Sequence, residues 1–343
     1  MSRMDKKLSN IRAGRYVRDD FMIADAKDAD MGGGIRMGGP RRLKDGTPDG
    51  YRTRRDFLDS IKEVVAQDVV DIMLLSASNL EVLMEEGVFR DSEVQTAVRA
   101  NETTDVWGGL RQGNYVTHRS IPHSSAVLPR IMHGLTTVVP DAPLTGTDLG
   151  LYSMTINNDL TADLASLEAY KAFRAEASQI GFRHFLEVFN PNTPTGLDRD
   201  GIACLLNDHI VRCLAGVMKA DRPLFLKIPF NSPAAIEELA TFDPTIVVGV
   251  LGGGAGTTRD TFELVSQAER YGARLALFGR KINLAEQPLT LIALMRQVVD
   301  HAISPTDAVR AYHGALQESG ITAIRPLEDD LKITEEPLQH EKS

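Results

Sequence analysis

From about residue 150 onward, short β-branched or aromatic runs alternate with longer stretches whose apolar residues recur at i, i+3 and i+4. The strand-like runs are "GLYSMTINN", "RHFLEVFN", "LFLKIPF", "TIVVGVLGG" and "RLALFGRKIN". Between them lie "ADLASLEAYKAFRAEASQIG", "RDGIACLLNDHIVRCLAGVMKA", "SPAAIEELATF" and "TTRDTFELVSQAERYG", all of helical period. Ser232-Pro233 and Ser304-Pro305 each read as N-cap and first helical residue, the second opening a final helix that ends near Gly320. Regular strand–helix alternation predicts parallel strands joined by helical crossovers.

The first half of the chain carries fewer such signals. "FMIADA" and "VVDIMLLSA" read as strands, and the helical "NLEVLMEEGVF" follows the second. A further strand is expected between residues 100 and 125, with "NYVTHRSI" as its best candidate, although Trp107 and several glycines blur the period there. The count is then eight. Eight strands predict an α/β protein of the (β/α)8, or TIM-barrel, class, a single domain over residues 21–320, in preference to an open doubly wound sheet. Residues 31–55, "MGGGIRMGGPRRLKDGTPDGYRTRR", interrupt the scheme as a Gly- and Arg-rich insertion directly after strand one, which a barrel places over its C-terminal mouth. Residues 1–20 form a charged N-terminal segment. Residues 321–343 form an acidic tail, expected to be mobile or an oligomer contact.

Composition narrows the partners. The chain has 343 residues, 43% hydrophobic and 25% charged, ample for one large core. A net charge of −9 argues against nucleic acid, which is bound through a basic face. No apolar run approaches the roughly 20 residues of a membrane span, and the charged N-terminus is unlike a secretory signal. A cytoplasmic protein, in a homo-oligomer, is the expectation. Cys204 and Cys213 fall in one helical pattern, too far apart for a disulfide, and read as free thiols.

The residue that most needs explaining is Lys227, in the middle of "PLFLKIPFNSP". An ammonium ion in a buried strand must reach solvent, pair with an acid, or hold its proton loosely. Strand alternation puts Phe185 and Glu187 on one face of "HFLEVFN", and Phe225 and Lys227 on the matching face of "LFLKIPF". Leu186, Val188, Leu226 and Ile228 are left for the helices. Glu187 and Lys227 then read either as a buried structural ion pair or as a Schiff-base lysine beside its acid/base partner. Their position toward the C-terminal ends of the strands favours chemistry. Asp25, closing strand one in "FMIADAKDAD", is a third candidate, able to hold a substrate hydroxyl or orient the amine. Lys27 shares its face, and is expected either to lower the pKa of Lys227 or to belong to a surface charge cluster. Gly252, Gly253 and Gly254 in "VLGGGAGTTRD", with Gly279 and Arg280 in "LFGRKIN", suit the anion site that barrels build after strands seven and eight. Arg36 in the basic insertion is a further candidate for the anion. The glycines match neither the dinucleotide fingerprint nor the P-loop, and no nucleophile elbow is present. The eight histidines, His118 and His123 among them, have no zinc-site spacing, so neither metal nor cofactor is expected.

The run from "LYSMTINN" through "EAYKAFRAEASQIGFRHFLEV" and "LFLKIP" to "LFGRKIN", with the "IADAK" strand end, resembles the bacterial class I tagatose-bisphosphate aldolases and the related sulfofructose-phosphate aldolase. More widely it resembles the Schiff-base (β/α)8 aldolases. The likeness covers roughly residues 150–300, and the 40 positions between Glu187 and Lys227 are close to the family's spacing. It implies that Lys227 forms the iminium, Glu187 is the acid/base, Asp25 is the strand-one aspartate, and Gly253, Gly254, Gly279 and Arg280 belong to a phosphate site. The expected activity is that of a lyase acting on a ketose phosphate or similar anionic sugar. Acyl or aldehyde transfer, keto-acid decarboxylation, and a non-catalytic sugar-phosphate-binding barrel are the alternatives. The residues after Asp25 depart from the family's usual Gln-Arg, and the 31–55 insertion lies outside its pattern.

Overall fold

Eight apolar runs pair in parallel in the computed structural model, which describes residues 2–43, 45–137 and 141–339. They are β1 (Met22–Lys27), β2 (Ile72–Leu75), β3 (Gln95–Arg99), β4 (Leu149–Thr155), β5 (Arg183–Phe189), β6 (Leu226–Lys227), β7 (Gly249–Leu251) and β8 (Leu275–Phe278). The neighbour order is β6-β5-β4-β3-β2-β1-β8-β7. Leu226 N–H donates to the Val247 carbonyl and Leu251 N–H to the Ile228 carbonyl, both at 2.8 Å, so β6 meets β7 and the ring closes. Closure brings backbone very near backbone at Gly249, where a Cβ would lie 2.6 Å from the Leu226 carbonyl oxygen. The (β/α)8 barrel read from the sequence is thus the fold.

The third strand is not where the sequence places it. Residues 95–99 form β3, and Tyr115–Thr117, inside the expected "NYVTHRSI" strand, is a short 3-10 turn in the crossover that follows. The true strand, QTAVR, has three polar residues among its five and ends on an arginine aimed inward, so it lacks the continuous apolarity that marks its neighbours.

Alternation divides the buried apolar residues into two sets. Met22, Ala24, Ala26, Ile72, Leu74, Leu149, Leu151, Leu275 and Leu277 fill the barrel, with Phe185 stacked on Phe225 at 4.5 Å between ring centroids. Ile23, Met73, Val98, Tyr152, Leu186, Leu226 and Phe278 face outward into the helices. Those helices are α2 (Arg54–Gln67), α3 (Ala77–Glu85), α4 (Leu160–Ile180), α5 (Arg199–Ala215), α6 (Pro233–Phe242), α7 (Thr258–Arg270), α8 (Pro288–Val299) and α9 (Pro305–Glu318). No helix among the described residues is long and apolar enough to cross a membrane.

Both ends of the chain are built into the barrel. Helix α1 (Arg3–Arg12) sends Met4 and Leu8 into the interior apolar set and is tied down by Arg3 and Lys7 on Asp71 and by Asp5 on Arg183. It plugs the N-terminal mouth. The acidic tail, expected to be mobile or an oligomer contact, folds back on the barrel through residue 339. Asp330 accepts the Thr258 N–H at 2.8 Å and meets His313 at 2.9 Å, Glu335 pairs with Lys281 at 2.7 Å, and Leu338 is fully buried. The tail's charges satisfy the first turn of α7, which explains an acidic composition without mobility.

His184 on β5 is buried in an aromatic nest between Tyr170 and Phe173, its Nε2 hydrogen-bonded to the Tyr170 hydroxyl at 2.8 Å. Burial, with Arg174 nearby, lowers its pKa to about 4. An unfolded chain with an ordinary imidazole takes the proton first, so stability is lost as pH falls from about 6.5 toward 4, by up to about 3 kcal/mol. Urea titrations at stepped pH are expected to show that loss, and the double variant Tyr170→Phe/His184→Phe is expected to flatten it.

Candidate active site

Two neighbouring strands bring the amine and the acid together. β5 and β6 pair with Glu187 opposite Lys227, and both side chains follow Phe185 and Phe225 into the barrel. Lys227 Nζ lies 2.7 Å from Glu187 Oε1. Glu187 is 1% exposed and Lys227 5%, so the pair is nearly dry but not sealed. Lys227 is the last residue of β6, at the C-terminal end where barrel chemistry is gathered.

Three residues that the sequence reading did not select complete the group. Arg99, the last residue of β3, donates Nη2–H to Glu187 Oε2 at 3.2 Å, Nη1–H to the Ser153 hydroxyl at 2.9 Å, and Nε–H to Asp28 Oδ2 at 2.5 Å. Ser153 on β4 donates its hydroxyl to Glu187 Oε2 at 2.6 Å. All three are buried. Burial alone raises the Asp28 pKa, but Arg99 and Lys227 outweigh it and hold the carboxyl below its ordinary value. Burial likewise opposes the Arg99 charge, yet Asp28 and Glu187 raise its pKa above the ordinary guanidinium value. Two cations and two carboxylates therefore share one small interior space.

Asp25 and Lys27 are not in that space. Ala24 and Ala26 point inward, so Asp25 and Lys27 point outward with Ile23, beside Met73, Leu75 and Phe278, and Lys27 Nζ lies 5.9 Å from the Phe57 ring centroid of α2. The inward acid of this segment is Asp28, one residue beyond the strand. A single step of phase moves a side chain through the barrel wall. Asp25 and Lys27 face each other at 3.3 Å behind that wall, and neither Asp25 oxygen has a hydrogen bond. Burial raises the Asp25 pKa and lowers that of Lys27, each only partly opposed by the other. Lys27 is consequently not the second cation beside Lys227; Arg99 is.

Gly252, Gly253 and Gly254 follow β7, and Gly279 and Arg280 follow β8, on the same C-terminal face. Gly253 takes φ +63°, and open space lies where its Cβ and that of Gly254 would be. The Arg280 guanidinium has no hydrogen-bond or ion-pair partner among the described residues. Arg36 is committed elsewhere: its Nη2 donates to the Gly109 carbonyl, joining the crossover after β1 to the one after β3. Those two crossovers roof the mouth. Gly32 passes against Val106, Asp105 accepts the Thr155 hydroxyl, and the Ser120 N–H bonds Asn157 and Asn192 beyond β4 and β5. His118 and His123 belong to this roof, the latter edge-on to Trp107 and 3.4 Å from Glu102.

No protein-family model and no curated protein matches the sequence. Solved structures do resemble it in fold. An archaeal fructose 1,6-bisphosphate aldolase superposes with a TM-score of 0.59 at 13% identity, over 86% of this chain and 98% of that one. A structure of an archaeal fructose-1,6-bisphosphate aldolase with its catalytic lysine covalently bound to the carbinolamine intermediate matches equally, over 86% and 99%. A Corynebacterium glutamicum protein solved as a structural-genomics target gives 0.56 at 17% identity, over 88% and 98%.

The outward pair offers a direct check on the phase of β1. Lys27→Met alone, which strands the Asp25 carboxyl, is expected to lose about 3 kcal/mol in urea unfolding. Asp25→Leu/Lys27→Met is expected to equal or exceed the parent, by up to about 4 kcal/mol.

Proposed function

We propose that the protein is a class I aldolase-like lyase that makes or breaks a carbon–carbon bond of an anionic ketose through an iminium on Lys227. The observation that carries this reading is the 2.7 Å contact between Lys227 Nζ and Glu187 Oε1 at the C-terminal end of a closed barrel. Resemblance in fold to aldolases, one of them with its catalytic lysine bound as a carbinolamine, supports it.

The resting ammonium passes its proton to Glu187 Oε1, and the freed amine attacks the ketone carbon. Glu187 returns that proton to the oxygen, then carries a second one from the carbinolamine nitrogen to the resulting hydroxyl, which leaves as water as the iminium forms. The iminium then draws electrons from the neighbouring bond. Glu187 removes the proton of the hydroxyl one carbon beyond it, directly or through water, the carbon–carbon bond breaks, an aldehyde departs, and an enamine remains on Lys227. Protonation at carbon and hydrolysis complete the cycle. The ketose's anionic end is assigned to the glycine loop after β7 with Gly279 and Arg280, since the open space at Gly253 and Gly254 and a guanidinium without a partner among the described residues suit a phosphate or sulfonate. The roof excludes water from the iminium.

A binding protein would need Lys227 and Glu187 only as a permanent salt bridge. Borohydride reduction in the presence of dihydroxyacetone phosphate or fructose 1,6-bisphosphate is expected to leave a mass adduct on the peptide containing Lys227, and Lys227→Ala to abolish it. No adduct with any ketose phosphate, ketose sulfonate or keto acid would sink the lyase. Arg280→Ala is expected to raise KM for a phosphorylated substrate by about tenfold or more while changing kcat far less.

A further inference from the structure

The two oxygens of Glu187 are not equivalent. Among the described residues Oε1 meets only Lys227 Nζ, whereas Oε2 accepts both the Ser153 hydroxyl at 2.6 Å and Arg99 Nη2–H at 3.2 Å. Arg99 also donates Nη1–H to the Ser153 oxygen at 2.9 Å, and this directs the serine's own proton toward Oε2. Each part is fixed from behind. Asp28 Oδ2 holds Arg99 Nε at 2.5 Å, and Asn101 grips the Ser153 backbone on both sides, accepting its N–H at 2.6 Å and donating to its carbonyl at 2.8 Å. A proton placed on Oε2 would face two donor hydrogens with nothing to accept it.

Resting on the lyase reading above, we propose that Arg99, anchored by Asp28, is a positioning residue. With Ser153 it occupies Oε2, so that Glu187 takes up and returns protons through Oε1 alone. The covalent step preserves this arrangement. A protonated lysine and a ketone give an iminium and water, and the iminium nitrogen keeps one N–H and one positive charge. Oε1 therefore has the same kind of partner before and after the bond forms, and the Arg99–Asp28 pair leaves the charge of the site unchanged throughout. The ammonium, the iminium and the proton in transit all lie along one short line.

The charged and titratable groups facing Glu187 are Lys227 from β6 and Arg99 from β3, with Asp28 behind Arg99; Ser153 from β4 adds a neutral donor. Removing Arg99 takes a cation and a donor from Oε2, which favours the protonated acid, so Glu187 is expected to titrate at higher pH. The test is the carboxyl carbon-13 resonance of Glu187, assigned by its loss in Glu187→Gln and followed against pH in the full-length protein. Alongside it runs the pH profile of borohydride trapping of Lys227 with dihydroxyacetone phosphate. Arg99→Met is expected to move both midpoints upward by about one unit or more. Ser153→Ala moves them the same way by less, and Arg99→Lys restores part of the shift. Identical Glu187 titration in parent, Arg99→Met and Ser153→Ala would overturn the proposal, and if Arg99→Met fails to fold, Ser153→Ala decides it. Failure of the lyase reading is seen separately, as absence of any adduct in the parent, while the carboxyl titration still reports on Arg99.

Discussion

An ammonium ion cannot be left alone in a protein interior, and the centre of this barrel is organised around that constraint. Lys227 has left water almost completely, and a desolvated charge of that size costs several kcal/mol unless opposite charge and hydrogen bonds replace its hydration. Glu187 supplies the opposite charge at contact distance. The carboxylate is in turn too well buried to stand on one partner, and Ser153 and Arg99 satisfy its other oxygen. Arg99 then needs Asp28. The chain of obligations ends there, on two ion pairs whose charges cancel, drawn from β3, β5, β6 and the residue just past β1, with a neutral donor from β4. A cavity-filling apolar core would be more stable. A neutral but polarised interior is what reversible attack on a carbonyl requires, because the proton and the positive charge can move without a net change that the surroundings must absorb.

The parts of this arrangement visible in the sequence were those governed by two-residue alternation inside long apolar runs. "HFLEVFN" and "LFLKIPF" each carry one charge in an unbroken hydrophobic strand, so the face, the phase and the pairing of Glu187 and Lys227 could be read directly. Strand one was harder. "FMIADAKDAD" offers acids at 25, 28 and 30, and the choice among them depends on which way the two alanines point. Ala24 and Ala26 face the narrow interior, where small residues fit, and the longer Asp25 and Lys27 are displaced to the helix side. Arg99 is not legible because three of the five residues of β3 are polar, so that the strand shows no apolar run, and the second cation is hidden with it. The tail differs for another reason. Its acidic composition suggests mobility or an oligomer contact, but Asp330 is spent on the first turn of α7 and on His313, and Glu335 on Lys281.

Scaffold and cover follow different physical rules here. The strands and their helices are fixed by apolar burial on both sides of the barrel wall. The roof is held mainly by polar contacts between crossovers: Arg36 to Gly109, Asp105 to Thr155, and Ser120 to Asn157 and Asn192. Such contacts exchange readily with water and cost little to break singly, whereas the barrel opens only as a whole. The Gly253–Gly254 loop and Arg280 stand at the edge between the two, carried on rigid strand ends yet facing the cover.

The plug formed by α1 has a bearing on traffic. With Met4 and Leu8 driven into the lower opening, the barrel is a vessel with one neck, and anything that reaches Lys227 must arrive and depart past the same loops. Under the lyase proposal, two fragments of one molecule would leave in a queue, the piece nearer the neck first and the piece held on Lys227 after it.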